Sequence, residues 1–124
     1  MNLAIMYVGD LLKKYNIPAY AVEADKDADY PVVVYTIIRS EDSQPPRYLY
    51  SLEICIYDED PSLTLSCAIK INKMLEENEI GFQEVEHLEL TQSYRIFDIQ
   101  INDDIYLEDR GLYSKQITCT LIQV

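Results

Sequence analysis

The sequence predicts an α+β domain, in which an antiparallel β-sheet has two helices packed on one face in the order α-β-β-α-β-β. Two segments carry apolar residues at three- and four-residue spacing, which is typical of amphipathic helices, and four others are β-branched or alternate as strands do. The chain has 124 residues, of which 48% are hydrophobic, so one domain with one core is expected over residues 1–124.

The first part of the chain begins with a predicted helix at residues 3–16, which Pro18 prevents from continuing. Residues 19–30 are acidic and are expected to form a loop, with a short strand around residues 20–22. Residues 31–39 are β-branched nearly throughout and are predicted to form a central strand.

A hairpin is predicted next, with its loop at residues 40–47, which contain two adjacent prolines. Its second strand, at residues 48–57, alternates in polarity and is expected to pair with the strand before it. The face predicted to point inward consists of Tyr48, Tyr50, Leu52, Ile54 and Ile56.

The second helix is predicted from Pro61 to Asn78, because Asp60 is a candidate N-cap and Gly81 marks an end. Proline is tolerated at the first helical position, since the N–H group that it lacks would have no partner there. The predicted inward face of this helix consists of Leu63, Cys67, Ala68, Ile71, Met74 and Leu75.

The last part of the chain is predicted to be mostly strand. Residues 84–90 suit a short strand only weakly, whereas residues 95–101 alternate so that Phe97, Ile99 and Ile101 share one face. An acidic turn at residues 102–111 leads into a long strand at residues 112–124, and its Arg110-Gly111 step fits a hairpin or bulge. The predicted inward side chains of the long strand are Tyr113, Ile117, Cys119 and Leu121, with Lys115 an exception on the same side.

The charge of the chain excludes several kinds of protein. Its 22 acidic and 10 basic residues give a formal net charge of −12, whereas binding to a phosphate backbone depends on lysine and arginine displacing counterions. A conventional nucleic-acid or anionic-membrane binder is therefore not expected, and no apolar stretch approaches the ~18 residues of a membrane span.

Residues 1–9 lack the features of a signal peptide, so a cytoplasmic protein is expected. Cys55, Cys67 and Cys119 lie within apolar patterns and are interpreted as small buried side chains.

Metal-binding motifs are incomplete in the sequence. Asp25, Asp27 and Asp29 match the opening of a calcium-binding loop. However, Tyr30 occupies the position of the required glycine, and Thr36 that of the final carboxylate. A solvated acidic loop is the better interpretation.

Catalytic motifs are equally sparse. His87 is the single histidine, so a catalytic triad or a His-based metal site has no second imidazole, and three glycines are too few for a phosphate-binding loop. Asp98 lies between two apolar strand residues, and an outward-facing charge explains it. No catalytic residue, cofactor or metal ligand is predicted.

The surface chemistry instead suggests protein contacts. The chain has 11 tyrosines but two phenylalanines and no tryptophan, and tyrosine is favoured at half-wet interfaces. Carboxylates concentrate in residues 23–29, 76–89 and 103–109, and at least one of these segments is predicted to face a channel or a partner. Candidate interface or channel residues are Arg39, Arg47, Tyr48, Tyr50, Asp103, Asp104, Tyr106, Glu108, Asp109 and Arg110.

The order of elements resembles that of the tail-completion proteins of long-tailed bacteriophages and prophages, the tail terminators and tail-to-head joining proteins. The likeness is carried by the P-x-V-x-Y phrase at Pro31, Val33 and Tyr35 and by the Gly-Leu-Tyr phrase ending at Tyr113. The segment between Asn78 and the strand at residues 95–101 is more acidic than the family pattern. The resemblance implies a non-enzymatic, hexameric ring without cofactor that caps the tail tube, joins it to the head connector and resides in the virion tail.

Two other functions remain open from the sequence. A small acidic protein of this kind also suits a DNA mimic that inhibits a nucleic-acid enzyme. Such a mimic needs carboxylates arrayed on one convex face, whereas a ring needs them around an annulus. A carboxylate hydrolase would need a pocket around Asp98.

Overall fold

A computed structural model describes residues 3–39, 49–78, 83–87 and 90–123 and shows a mixed α+β fold. The predicted order α-β-β-α-β-β is wrong in detail, because the observed order is α-β-β-β-α-β-β-β-β and includes three short strands that it omits. The helices are α1 (Leu3–Lys14) and α2 (Pro61–Glu77), and the strands are β1 (Tyr20–Ala21), β2 (Val32–Arg39), β3 (Leu49–Asp58), β4 (Gln83–His87), β5 (Leu90–Ile101), β6 (Ile105–Leu107) and β7 (Leu112–Gln123).

The described strands form one sheet in the order β1-β2-β3-β7-β5-β4, with β6 also paired to β7. The predicted pairing of β2 with β3 is confirmed. All pairings are antiparallel except that of β1 with β2, which is parallel. The prediction that residues 31–39 form a central strand is wrong, because β3 and β7 occupy the centre and β2 lies next to the two-residue edge strand. Both faces of β2 are nevertheless partly covered, which accounts for its continuous β-branched sequence.

One face of the sheet carries the core, and both helices pack on it as predicted. Its buried strand residues include Leu52, Ile54, Ile56, Ile96, Ile117, Cys119 and Leu121. The helices add Ala4, Tyr7, Val8, Leu11 and Leu12 from α1, and Ala68, Ile71, Met74 and Leu75 from α2.

Helix α1 ends earlier than predicted, at Lys14. The chain leaves it through Asn16, whose φ of 57° is left-handed, and the Ile17 amide donates to the Leu12 carbonyl at 2.9 Å. This six-residue closure is a common helix ending that satisfies carbonyls of the last turn.

Gly9 fixes how closely α1 approaches β2. A Cβ atom at this position would lie 2.7 Å from the Tyr35 hydroxyl oxygen, nearer than side-chain atoms approach one another. The glycine therefore permits the contact, although it weakens the helix by roughly 1 kcal/mol relative to alanine.

Helix α2 begins as predicted. The Asp60 carboxylate accepts a hydrogen bond from the Ser62 amide at 2.9 Å, and Pro61 is the first helical residue. The helix ends at Glu77 with Asn78 as its C-cap, and the predicted end signal Gly81 lies outside the described residues.

The inward face of α2 differs from the prediction at its first turn. Leu63 is 47% exposed, whereas Thr64 is fully buried. The helix start at Pro61 orients the buried stripe along positions 64, 68, 71 and 75, which leaves Leu63 outside it.

A bulge in β5 separates residues that were predicted to share a face. Asp98 has a φ of 59°, and the pairing with β7 shifts register between Phe97 and Gln100. Phe97, before the bulge, is 36% exposed, whereas Ile99 packs against the core together with Ile96, so the grouping of Phe97 with Ile99 was wrong. An inserted residue reverses the alternation, which sequence periodicity alone does not reveal.

Residues 102–111 are not simply a turn, because they contain β6. The Gly111 amide donates to the Leu107 carbonyl at 2.8 Å, and Gly111 has a φ of 63°. The hairpin predicted at Arg110-Gly111 is confirmed, as is the inward placement of Lys115, which is 7% exposed.

Candidate interaction surface

The face of the sheet opposite the helices is open over the described residues. It presents the alternate positions of each strand, which are half-buried or exposed and include both polar and apolar side chains. Ile38, at the end of β2, is 68% exposed on this side. Its other side chains include Thr36, Ser51, Glu53, Ser114, Gln116, Thr118 and Thr120.

The acidic hairpin of β6 and β7 is attached to α2 through Asp104. Asp104 Oδ2 lies 3.7 Å from Lys115 Nζ, and Asp104 Oδ1 lies 3.1 Å from the Thr64 hydroxyl. Lys115 also donates to the Asn102 carbonyl at 3.4 Å. Asp104, predicted as an interface residue, therefore holds the hairpin in place.

The remaining predicted residues of the hairpin lie on its surface. Tyr106 is 50% exposed and packs against Tyr113, with ring centroids 4.9 Å apart and the ring planes tilted by 52°. The other members, all exposed, are Asp103, Glu108, Asp109 and Arg110.

A cleft separates this hairpin from the acidic loop at residues 22–30. Its volume is about 500 Å³, and Glu23, Asp25, Lys26 and Arg110 lie at its edge. The acidic loop thus borders the cleft, whereas the hairpin contributes only Arg110 and Leu112 to it. The apolar lining is made by Val22, Ala24, Ala28, Tyr30, Val32, Val34, Tyr57 and Leu112.

The loop reaches the cleft through a strained turn at Val22. This residue has a φ of 70°, its amide donates to the Tyr35 carbonyl at 2.9 Å, and the Glu23 amide donates to the Ala21 carbonyl at 2.8 Å. Left-handed φ is unfavourable for a β-branched residue and costs about 1–3 kcal/mol. The turn leaves the Val22 side chain 65% exposed at the cleft, a feature without a sequence signal.

The third acidic segment lies elsewhere. Only its first part, Glu76 and Glu77, has described side chains, and these are exposed at the C-terminal end of α2. The Tyr15 hydroxyl donates to Glu77 Oε2 at 2.7 Å, which raises the pKa of Tyr15.

The predicted candidates from the first hairpin do not join this surface. Arg39 ends β2, and Tyr50 is half-buried with its ring 6.4 Å from that of Tyr94. Because β3 spans ten residues, this end of the sheet is about 30 Å from the acidic hairpin. Arg47 and Tyr48 lie outside the described residues.

The neighbourhood of Asp98 is a depression of about 320 Å³ on the open face, which Glu53, Gln100 and Thr118 also line. The Cys55 thiol donates to Glu53 Oε1 at 3.5 Å. The depression therefore brings two carboxylates to one place, but no imidazole with a described side chain joins them.

The interpretation of the cysteines as buried side chains is confirmed for Cys119, whereas Cys55 and Cys67 are half-buried. Burial raises the pKa of all three thiols, to about 12 for Cys119, so the reactive thiolate is scarce at neutral pH. In the described part of the chain, no group of three His, Cys, Asp or Glu side chains is arranged to hold a metal ion. Neither described helix is both long and apolar enough to cross a membrane.

Comparison with known proteins identifies the fold. No protein-family model matches the chain, and no curated protein matches its sequence. A chain from the virion of a native gene transfer agent particle is similar in structure, with a TM-score of 0.57, 7% identity, and coverage of 96% of this chain and 92% of that one. Another solved structure gives a TM-score of 0.64 at 8% identity, and the match covers 100% of this chain and 96% of the other. The chain therefore shares its fold, over nearly its whole length, with a chain from the virion of a gene transfer agent particle.

Proposed function

We propose that this protein is a structural component of a phage-like virion, and specifically a tail-completion protein. In this role it forms a ring at the end of the tail tube, stops tube growth and joins the tail to the head connector. The observation that carries the proposal is the shared fold with a virion chain, which extends over 96% of this chain and 92% of the other. Two end-to-end matches of similar length exclude a local resemblance of one hairpin or helix.

The charge of the molecule supports this role. A ring around a DNA path benefits from negative charge, because like charge prevents the duplex from adhering to the wall. The net charge of −12 per chain is multiplied around such a ring. The proposed partners are other copies of this chain, six in all by the resemblance, together with the tail-tube protein and the head connector. The role requires neither catalysis nor a cofactor.

The positions of the carboxylates favour this proposal over the DNA mimic. Glu23 and Asp25 line the cleft on the open face, Asp104 is bound to Thr64 of α2, and Glu76 and Glu77 lie at the far end of that helix. These described side chains do not form a phosphate-like row along one convex face.

The experiment is mass spectrometry of particles released by cells that carry the gene, purified on a density gradient after nuclease treatment. The proposal expects this chain in the particle fraction at a fixed ratio to the tail-tube protein, a few copies per particle. Its absence from intact particles, with the chain instead bound to a nuclease or another nucleic-acid enzyme in the soluble fraction, would contradict the proposal and favour the mimic.

A further inference from the structure

The outer edge of β2, on the side away from β3, is covered over only part of its length. The two residues of β1 pair with Val34 and Tyr35 in parallel register. Along residues 36–38, no described strand pairs with β2 on this side. Ile38 in this stretch is 68% exposed. An uncovered strand edge presents backbone N–H and C=O groups with which another extended segment can pair.

The chain turns away from this edge at Val22. The Val22 amide donates to the Tyr35 carbonyl at 2.9 Å, which continues the parallel ladder of β1 by one bond. The Glu23 amide then donates to the Ala21 carbonyl at 2.8 Å, and this three-residue turn holds Val22 at a φ of 70°. Such a turn is rare and strained, whereas a β-branched residue favours extended backbone. The ladder therefore stops at a residue whose own preference is to continue it.

The register of the two strands determines where a longer β1 would pair. Since β1 and β2 are parallel, the three residues after β1, 22–24, would lie opposite residues 36–38. In that ladder the Ile37 amide would donate to the Val22 carbonyl, and the Ile37 carbonyl would accept from the Ala24 amide. Two hydrogen bonds would then replace the one that closes the observed turn.

The side chains of the longer strand also suit this edge. Val22 is 65% exposed in the observed turn, and Ile38 is 68% exposed. In the extended ladder both would lie on the open face of adjacent strands, with Ala24 directly opposite Ile38. The extension would therefore bury apolar surface that the turn leaves in water.

The rest of the loop is long enough to permit the extension. Residue 24 would lie beside Ile38, six residues along β2 from Val32, where the strand begins. Six residues of strand span about 20 Å. The eight steps of chain from residue 24 to Val32 reach up to about 26 Å. The connection back to β2 can therefore be made.

We propose that residues 22–24 form a strap with two positions. In the observed position, the turn at Val22 directs Glu23 and Ala24 to the cleft, and the edge of β2 is open. In the second position, the strap is a strand that covers residues 36–38 and leaves the cleft. The two positions exclude each other, so a strand from another molecule can pair with this edge only while the strap lies at the cleft. The inference goes beyond the proposed function and does not depend on it.

The test is a disulfide bond that only the extended strap can form. Ala24→Cys with Ile38→Cys places thiols on directly opposite residues of the longer ladder, with Cα atoms about 5 Å apart, which is within the range of a disulfide. In the observed position, Ala24 lines the cleft together with Val34, and Ile38 lies about 13 Å further along β2. The variant is oxidised in dilute solution, and mass spectrometry of its peptides separates the 24–38 bond from pairs with the three native cysteines over time.

The matched control is Ala28→Cys with Ile38→Cys. Ala28 lines the same cleft and belongs to the same loop, but it lies outside the strap. Because Ile38 is exposed and both alanines lie in the loop, the substitutions leave the core intact, which circular dichroism checks.

The 24–38 bond is expected to form at least about fivefold faster than the 28–38 bond. Addition of Val22→Gly to the 24–38 variant is expected to slow the bond by about fivefold, because glycine adopts left-handed backbone without strain and so stabilises the turn.

Two results would overturn the inference. One is a 24–38 bond that forms no faster than the 28–38 bond, which would mean that the loop has no preferred register on β2. The other is a 24–38 rate that Val22→Gly leaves unchanged, which would mean that the turn does not control the position of the strap.

Discussion

The side chains on the two faces of the sheet differ in burial, and the difference is clearest where β3 and β7 pair. Ile54 and Ile117 face each other on the covered side and are fully buried. One position along, the exposed Glu53 faces Thr118 on the open side. The covered face determines the fold, because its side chains pack together and under both helices. The open face is available for contact, and the cleft and its strained turn both lie there.

The largest expected loss of stability is at Ile96 in β5, and we compare it with the loss at its neighbour Phe97. Ile96→Ala removes a fully buried side chain and should lower the free energy of unfolding by about 2–5 kcal/mol. Phe97→Ala, on the open side, should cost less than half as much, although it removes more atoms. Urea denaturation of both variants measures the difference. Equal losses would show that Phe97 is as closely packed as Ile96, contrary to their burial in the structure.

The next effect concerns the attachment of the acidic hairpin. Asp104→Ala removes the carboxylate near Lys115 and leaves a nearly buried ammonium group without its ion pair. Because the Asp104 side chain is 26% exposed, the expected loss is about 1–2 kcal/mol, at the lower end for charged partners. The matched control is Asp103→Ala, an exposed neighbour expected to change stability by under about 0.5 kcal/mol. Thermal unfolding compares them, and similar results would mean that Asp104 is a surface charge like Asp103.

A smaller effect is expected at the hairpin turn. A Cβ atom at Gly111 would meet nothing within 4 Å, so Gly111→Ala tests backbone strain alone at a φ of 63°. The expected loss is about 1 kcal/mol. Gly111→Asn should lose less, because asparagine tolerates left-handed backbone. An alanine variant as stable as the unaltered chain would show that the turn relaxes.

The smallest expected effect is a loss of stability at alkaline pH, which arises from titratable side chains buried on the covered face. Burial raises the pKa of Tyr94 and that of Cys119 to about 12. The unfolded chain releases these protons first, so stability is complete below about pH 9 and falls as the pH rises toward 12. Melting temperatures measured from pH 8 to 11 should fall less steeply for Tyr94→Phe combined with Cys119→Ala. A variant with an unchanged slope would assign the alkaline loss to other groups.

The sequence predicts the covered face better than the open one. Alternation in residues 48–57 and the Asp60–Pro61 helix start each depend on neighbours in the chain, and both agree with the structure. The misplaced Phe97 and the missing β6 arise from a bulge and from cross-strand pairing, which local periodicity does not encode. The cleft was also beyond prediction. It exists because residues 22–30 lie beside a hairpin about 80 positions later, joined through a turn at Val22 that no sequence pattern marks.

The proposed tail-completion role can be tested most directly by locating the chain in intact particles. Antibodies against this protein, carrying gold, would be added to purified particles and viewed by negative-stain electron microscopy. A tail-completion ring predicts label at one site per particle, at the end of the tail tube that meets the head. Label spread along the tail or over the head, or no label on particles whose disrupted form reacts with the antibody, would contradict it.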